Sequence, residues 1–201
     1  MKIIGVGLNY QGQRNGKDAP SAPIIFFKQD TSILLRNKPF YHPSFTKKVN
    51  YEVEIVIKID KPGKNIAEKF AHKYYSEYGL CIDFTAADMI AEARENGLPW
   101  DLAKGFNDSL PLSTFHPVDD LKSINDLNFS LLINDKEVQT ANTSEMLFSV
   151  DQIIAYVSKY IFLKKGDIIL TGTPAGVAPI NMGDRLTGFI ENNKLLDFEI
   201  R

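Results

Sequence analysis

Short apolar runs bounded by turn residues dominate the chain, and most have the length and period of strands rather than helices. Ile24–Lys28 and Tyr51–Ile59 read as strands, the second setting Tyr51, Val53, Ile55, Ile57 and Ile59 on one apolar face. Tyr78–Asp83 reads as a buried strand, and Gly166-Asp167 turns the chain into another at Ile168–Leu170. Two hairpins follow the same logic: Phe129–Ile133 with Glu137–Thr140 about Asn134-Asp135-Lys136, and Arg185–Ile190 with Leu195–Ile200. Helical signals are few. Asn65 with Glu68 resembles a capping box that opens a helix to about Tyr75. Thr85 or Asp88 can cap a second helix that runs to Asn96, where Gly97 and Pro99 supply the stop. Ser149 with Gln152 opens a third, in which Ile153, Ile154, Val157 and Ile161 recur at helical spacing. No internal repeat, low-complexity tract or Gly/Ser linker interrupts the pattern. Residues 1–201 are therefore expected to form a single domain of mixed α/β but mainly β class, a rolled mixed β-sandwich with a few short helices.

Composition narrows the partners. With 44% hydrophobic and 24% charged residues, a chain of 201 residues can bury a sizeable core. A net charge of −2 provides no basic field of the kind that gathers nucleic acid or an anionic bilayer, so neither is expected as a partner. No segment reaches the ~18 apolar residues of a membrane span, and the short apolar run in Met1–Gly7 fits neither a signal peptide nor an anchor. The only cysteine, Cys81, excludes an internal disulfide, fits a reducing cytoplasm and is expected to be inert core between Leu80 and Ile82.

Candidate chemistry begins at Tyr51-Glu52-Val53-Glu54. Residues i and i+2 of a strand share a face, so Glu52 and Glu54 project in parallel from Cα atoms roughly 6.6 Å apart. Two hard oxygen donors so placed suit Mg²⁺ or Mn²⁺. They equally suit the wet face of an antiparallel strand, which Lys58 and Asp60 continue. Two glycine-bearing segments are poor nucleotide sites. Gly5-Val6-Gly7 lacks a third glycine, a following helix and a full strand ahead of it, and no Lys-Ser/Thr pair follows Thr171-Gly172-Thr173-Pro174-Ala175-Gly176. The second segment still offers hydroxyls and amide N–H groups at a strand end, which fit a small carboxylate or an ordinary turn.

In chain order, Gly7-x-Asn9-Tyr10, Tyr51-Glu52-Val53-Glu54, Leu80–Ala86, Gly97–Lys104 and Gly166–Val177 resemble the fumarylacetoacetate hydrolase family. The likeness covers nearly the whole chain. It is nearest to the small acylpyruvate hydrolase, oxaloacetate decarboxylase and 2-hydroxyhepta-2,4-diene-1,7-dioate isomerase members. It implies a homodimer, a divalent cation (usually Mg²⁺, with Mn²⁺ also suited) and 2-oxo or enol carboxylate substrates that chelate the ion. Position by position, it makes metal ligands of Glu52, Glu54 and Asp83, and sets Lys104 beside the metal to stabilise an enolate or move a proton. By the same likeness, Gly172 and Thr173 match the loop that in the family holds the substrate carboxylate. Chemistry agrees: three carboxylates leave Mg²⁺ room for a bidentate acid, and three converging negative charges without a cation would repel one another.

Three positions depart from the family pattern. Gln13 stands where a histidine commonly helps activate water, and Ala87 and Ile90 stand where an arginine and a glutamine contact substrate. A positioned general base is worth ~10²–10⁴ in rate, so hydrolysis should suffer most from its loss. Enol–keto tautomerisation and decarboxylation need mainly a metal-held enolate and a proton donor such as Lys104. The expected function is thus an isomerase, tautomerase or decarboxylase ahead of a C–C hydrolase. The alternative is a catalytically retired homologue that binds metal and ligand without turnover.

Overall fold

Val53–Ile59 carries apolar side chains on both faces, and such a strand must lie inside a sheet covered on both sides. The computed structural model describes residues 1–13 and 18–201, Gln13 by its backbone alone. In it, this strand is central in a mixed sheet. The order is Ile24–Lys28, Ile3–Gly7, Ile168–Leu170, Val53–Ile59, Tyr75–Ile82, Leu110–Leu112 and Ile33–Leu35, with His116–Pro117 paired beside Tyr75–Ile82. Ile3–Gly7 runs parallel to Ile168–Leu170, and Ile33–Leu35 parallel to Leu110–Leu112; the other pairs are antiparallel. A second sheet, wholly antiparallel, has the order Lys136–Asn142, Asn128–Ile133, Arg185–Ile190 and Asn193–Glu199. The two sheets share one core: Ile55, Ile57, Leu80 and Ile82 meet Phe129, Leu131, Leu186 and Phe198, and helix Val150–Tyr160 adds Ile153, Ile154 and Val157. On the other face of the main sheet Ile3, Val56, Cys81, Leu110, Ile168 and Leu170 form a smaller cluster. This is the mainly β, rolled architecture that the pattern predicts. Among the described residues no helix is long and apolar enough to cross a membrane.

Tyr51–Ile59 is two strands rather than one. Val49–Tyr51 pairs with Thr85–Ala86 and Ala178–Pro179 in a small third sheet, Val53–Ile59 pairs within the main sheet, and the chain changes sheets at Glu52. The neighbouring chain breaks in step between Ile82 and Thr85. Across this corner the Asp83 N–H donates to the Glu52 carbonyl at 2.8 Å, so the peptides at the break keep a partner.

The helices differ from expectation in instructive ways. Val150–Tyr160 opens with the predicted capping box, in which Ser149 Oγ accepts from the Gln152 N–H and Gln152 Oε1 from the Ser149 N–H. Ala87–Asn96 ends as predicted at Gly97 (φ 65°), but neither Thr85 nor Asp88 caps its start. Thr85 donates instead to Glu52, and Asp88 lies inside the helix rather than at its cap, its carboxylate accepting from Thr46, the Lys47 N–H and the adjacent Met89 N–H. The expected helix from Asn65 to Tyr75 shrinks to Glu68–Ala71. Asn65 is left-handed (φ 52°) and Tyr75 already pairs with Ile59, because the long ladder with Val53–Ile59 outweighs a local capping signal. The Asn134-Asp135 turn is a two-residue one (φ 50° and 63°), with Lys136 in the strand. A full strand, Ile3–Gly7, does precede the Gly7-Leu8-Asn9-Tyr10 segment, but among the described residues it is followed by a single 3-10 turn at Gln11–Gln13 and not by the α-helix N-terminus a pyrophosphate needs.

Asn9 ties this segment down. Fully buried, it donates from Nδ2 to the carbonyls of Thr171 (2.7 Å) and Phe148 (3.0 Å) and accepts at Oδ1 from the Phe148 N–H (2.9 Å). Replacing it with alanine orphans these groups at ~1–3 kcal/mol each before relaxation, so Asn9→Ala should lower stability by about 3 kcal/mol in urea unfolding. A change under about 0.5 kcal/mol, the size of an ordinary surface substitution, would contradict this role.

Candidate active site

The sheet corner brings three carboxylates together. Glu52 stands at the break in one strand pair and Asp83 at the break in its neighbour, while Glu54 leaves the main sheet on the same face as Val56. One oxygen from each of Glu52, Glu54 and Asp83 lies within 4.8 Å of those of the other two. Glu54 is 1% exposed and Asp83 0%, which rules out a solvated strand face. The two glutamates are oriented by different neighbours: Thr85 Oγ1 donates to Glu52 Oε1 at 2.9 Å, and the Gly172 N–H to Glu54 Oε2 at 2.6 Å.

Two lysines neutralise part of this charge. Lys104 ends the short helix Asp101–Lys104, and its Nζ donates to Asp83 Oδ2 at 2.5 Å and Glu52 Oε2 at 2.9 Å, 4.8 Å from the centre of the Phe26 ring. Lys28, with a fully buried side chain, donates to Asp83 Oδ1 at 2.6 Å and to the carbonyls of Phe84 (3.3 Å) and Lys104. One ammonium thus fixes both the aspartate and the backbone that carries the other lysine. Burial pushes the Glu54 carboxyl well above the usual carboxylate range, and Asp83 and Glu52 push it further. Burial opposes ionisation of Asp83 too, but Lys104 and Lys28 outweigh it and hold that carboxyl below its ordinary value. Burial lowers the Lys28 ammonium, whereas at Lys104 the attraction of Asp83 and Glu52 overcomes burial and raises it. Glu54 and Asp83 are buried and Glu52 half-buried, and three hard-oxygen donors converging beside two ammonium groups form a donor set that fits a hard divalent cation.

The loop after Ile168–Leu170 is built to serve Glu54. Gly172 adopts φ 96°, and a Cβ there would lie 2.7 Å from that of Asn9, so only glycine lets its N–H reach the carboxylate. Thr173 is buried, its Oγ1 accepting from Gln139 Nε2 at 2.9 Å. Gln139 also bonds the Pro174 carbonyl (3.1 Å) and accepts from the Val53 N–H (2.9 Å), clamping the loop to the strand beside Glu54. A cavity of about 190 Å³ opens onto Glu52 and Lys104, with Asn50, Ile90, Arg94 and Trp100 in its wall. Asn50 Oδ1 is buried there without a hydrogen-bond partner. A larger hollow of about 550 Å³ around Leu35, Leu112 and Phe115 has none of the clustered carboxylates in its wall.

Residues 2–200 match the family model described as the fumarylacetoacetate (FAA) hydrolase C-terminal. The chain belongs to the fumarylacetoacetate hydrolase family. It is 37% identical to the mitochondrial oxaloacetate tautomerase FAHD1 of Mus musculus, over 99% of this chain and 91% of that protein. The mitochondrial oxaloacetate decarboxylase of Dictyostelium discoideum is 37% identical over 90% and 85%. Among solved structures, the fumarylpyruvate hydrolase of Pseudomonas aeruginosa in complex with Mn²⁺ and pyruvate superposes with a TM-score of 0.94 at 27% identity, over 100% of this chain and 89% of that one. The 2-hydroxyhepta-2,4-diene-1,7-dioate isomerase of Mycobacterium marinum gives 0.87 at 33%, over 99% and 73%. These relatives are named enzymes of tautomerase, decarboxylase, hydrolase and isomerase type.

Within this family setting, Glu52, Glu54, Asp83 and Lys104 form one cluster in this chain, with Gly172 on Glu54 and Thr173 next to it. The side chain of Gln13, where the family resemblance leads one to expect a histidine, lies outside the described residues. Ile90 walls the cavity, and no histidine lines it among the described residues. Lys28, Gln139 and Asn50 are contributors that pattern reading passed over. Lys28 alone left a trace, as a cation closing the apolar run Ile24–Lys28. Removing one partner of a buried ion pair costs roughly 3–5 kcal/mol, so Lys28→Met should destabilise the protein by about that much. Thermal or urea unfolding of this variant unchanged from wild type would contradict the compensation. Gly172→Ala, forced into a left-handed conformation against Asn9, should lower Tm by several degrees, since such strain costs ~1–3 kcal/mol.

Proposed function

We propose that this chain is a divalent-metal-dependent enzyme acting on a small 2-oxo or enol carboxylate of acylpyruvate, oxaloacetate or 2-hydroxyhepta-2,4-diene-1,7-dioate type. Isomerase, tautomerase or decarboxylase chemistry is favoured over C–C hydrolysis. The observation that carries the reading is the convergence of Glu52, Glu54 and Asp83 within 4.8 Å, with the Lys104 ammonium on two of them. These three residues would hold Mg²⁺, or Mn²⁺, which oxygen donors suit as well. Once bound, the cation supplies Lewis-acid polarisation of the 2-oxo oxygen and stabilises negative charge developing there. The chain's own groups do the rest. Lys104 brings a proton to the cavity wall, from which it can pass to the substrate's C3, and the positive charge of Lys104 favours the enolic form. Gly172 N–H is spent on Glu54, so that residue serves the acid by orienting a ligand, whereas the Thr173 hydroxyl, an acceptor from Gln139, keeps its proton for the substrate carboxylate. Tautomerisation and decarboxylation need no activated water, which agrees with Gln13 at the histidine position and with the oxaloacetate relatives. We further propose a homodimer in a reducing cytoplasm, with neither nucleic acid nor membrane as partner, on family likeness, net charge and the one buried thiol.

Ala87 and Ile90, apolar where the family resemblance leads one to expect an arginine and a glutamine, favour one rival reading: a retired homologue that binds metal and ligand without turnover. Purified protein with Mg²⁺ and oxaloacetate, followed by loss of enol absorbance, decides between the two. Turnover with wild type and a loss of roughly 10³-fold in Glu52→Ala are expected, because Lewis-acid stabilisation is worth several kcal/mol. Calorimetry should show Mg²⁺ or Mn²⁺ binding lost in the same variant. Full activity of Glu52→Ala would sink the metal assignment; metal binding with no turnover of oxaloacetate or an acylpyruvate would establish the retired reading.

A further inference from the structure

Helix Ala87–Asn96 borders the cavity, and Ala87, Ile90 and Arg94 fall at i, i+3 and i+7, on one stripe of its surface. The two apolar positions, Ala87 and Ile90, therefore share a face with a cation one turn further on. Ile90 and Arg94 both line the cavity onto which Glu52 and Lys104 open. The guanidinium carbon of Arg94 lies 4.9 Å from the centre of the Trp100 ring, and Trp100 is braced in turn against Phe26 at 6.5 Å between ring centres. Among the described residues no carboxylate pairs with Arg94. A guanidinium seated over an aromatic ring still has N–H donors to offer a ligand, and a carboxylate can accept two of them in bidentate fashion.

We propose that Arg94, held on Trp100, is a specificity-determining residue that binds the second carboxylate of a short 2-oxo dicarboxylic acid whose other end reaches Glu52, Glu54, Asp83 and Lys104. The assignment rests on the proposed function and adds to it the charge and length of the substrate. Length follows from space: at about 190 Å³ the cavity falls below the ~300–1,000 Å³ typical of pockets for drug-sized ligands, so a ligand spanning it from the carboxylate cluster to Arg94 is short. Charge follows from the guanidinium. A monocarboxylic 2-oxo acid leaves it unanswered.

Trp100 is the only tryptophan in the chain, so its fluorescence reports this site directly. Stopped-flow titration in excess Mg²⁺, read before turnover, compares oxaloacetate with pyruvate, which has the same chelating head and one carboxylate fewer. Arg94→Gln, a substitution at an exposed helical position by a residue of similar helix propensity, should weaken oxaloacetate binding roughly 10-fold or more and leave pyruvate within about 2-fold. Arg94→Lys should fall between, keeping charge but losing the fork. Equal weakening of both acids, or no effect on either, overturns the assignment while leaving the proposed function standing. Wild-type protein that binds neither acid overturns both.

Discussion

Three carboxylates inside a protein must be compensated, and the way this chain does so organises the rest of it. Asp83 is bridged by two ammonium groups, Lys104 and Lys28, and Glu52 by one of them, while Glu54 accepts from the Gly172 amide and feels Lys104 without pairing with it, against the repulsion of its two acidic neighbours. Each acid taken from water carries a penalty of several kcal/mol unless paired, so the arrangement persists only if surrounding structure holds every partner in place. A stable hydrophobic protein of this size has no need of such a cluster. Its cost is the physical reason to read it as a binding site.

The fold meets that demand by breaking two adjacent strands at the same level. Had Tyr51–Ile59 stayed one strand, Glu52 and Glu54 would have shared one face of one sheet. Because the chain changes sheets at Glu52 and its neighbour breaks at Asp83, the two acids turn toward Glu54 across a corner. The supports come from distant parts of the sequence. Asn9 pins the Thr171 end of the loop, Gln139 pins its Thr173–Pro174 side, and the edge strand Ile24–Lys28 delivers the second lysine. Precise acid placement thus depends on contacts more than 50 residues apart in the chain, such as that of Lys28 with Asp83 at a sequence separation of 55.

Where local chemistry decided the structure, the sequence was readable. Ser149 and Gln152 cap their helix because their partners lie within one turn, Gly97 stops another because only φ > 0 fits there, and the hairpins follow from their turn residues. Where tertiary pairing decided, the sequence misled. Asn65 looked like a cap until the ladder of Tyr75–Ile82 claimed the segment, and Thr85 and Asp88 looked like caps until Glu52 and Thr46 engaged their side chains. The acids, Lys104 and the loop glycine were legible through their motifs. Lys28, Gln139 and Asn50 were not, since a lone lysine after an apolar run, or an amide inside a strand, has no spacing that marks it. Arg94 is intermediate: its helical stripe with Ile90 is visible in the sequence, but its place on Trp100 is not.

The central claim is that the corner of Glu52, Glu54 and Asp83 is a divalent-cation site and that Lys104 stands beside the ion. Anomalous diffraction from a crystal grown with Mn²⁺ and oxalate tests it in one experiment. The account predicts a manganese peak bonded to an oxygen from each of the three carboxylates, with oxalate completing the coordination and Lys104 Nζ within hydrogen-bonding distance of it. Well-ordered density for the three side chains with no anomalous peak among them, at saturating Mn²⁺, would contradict it.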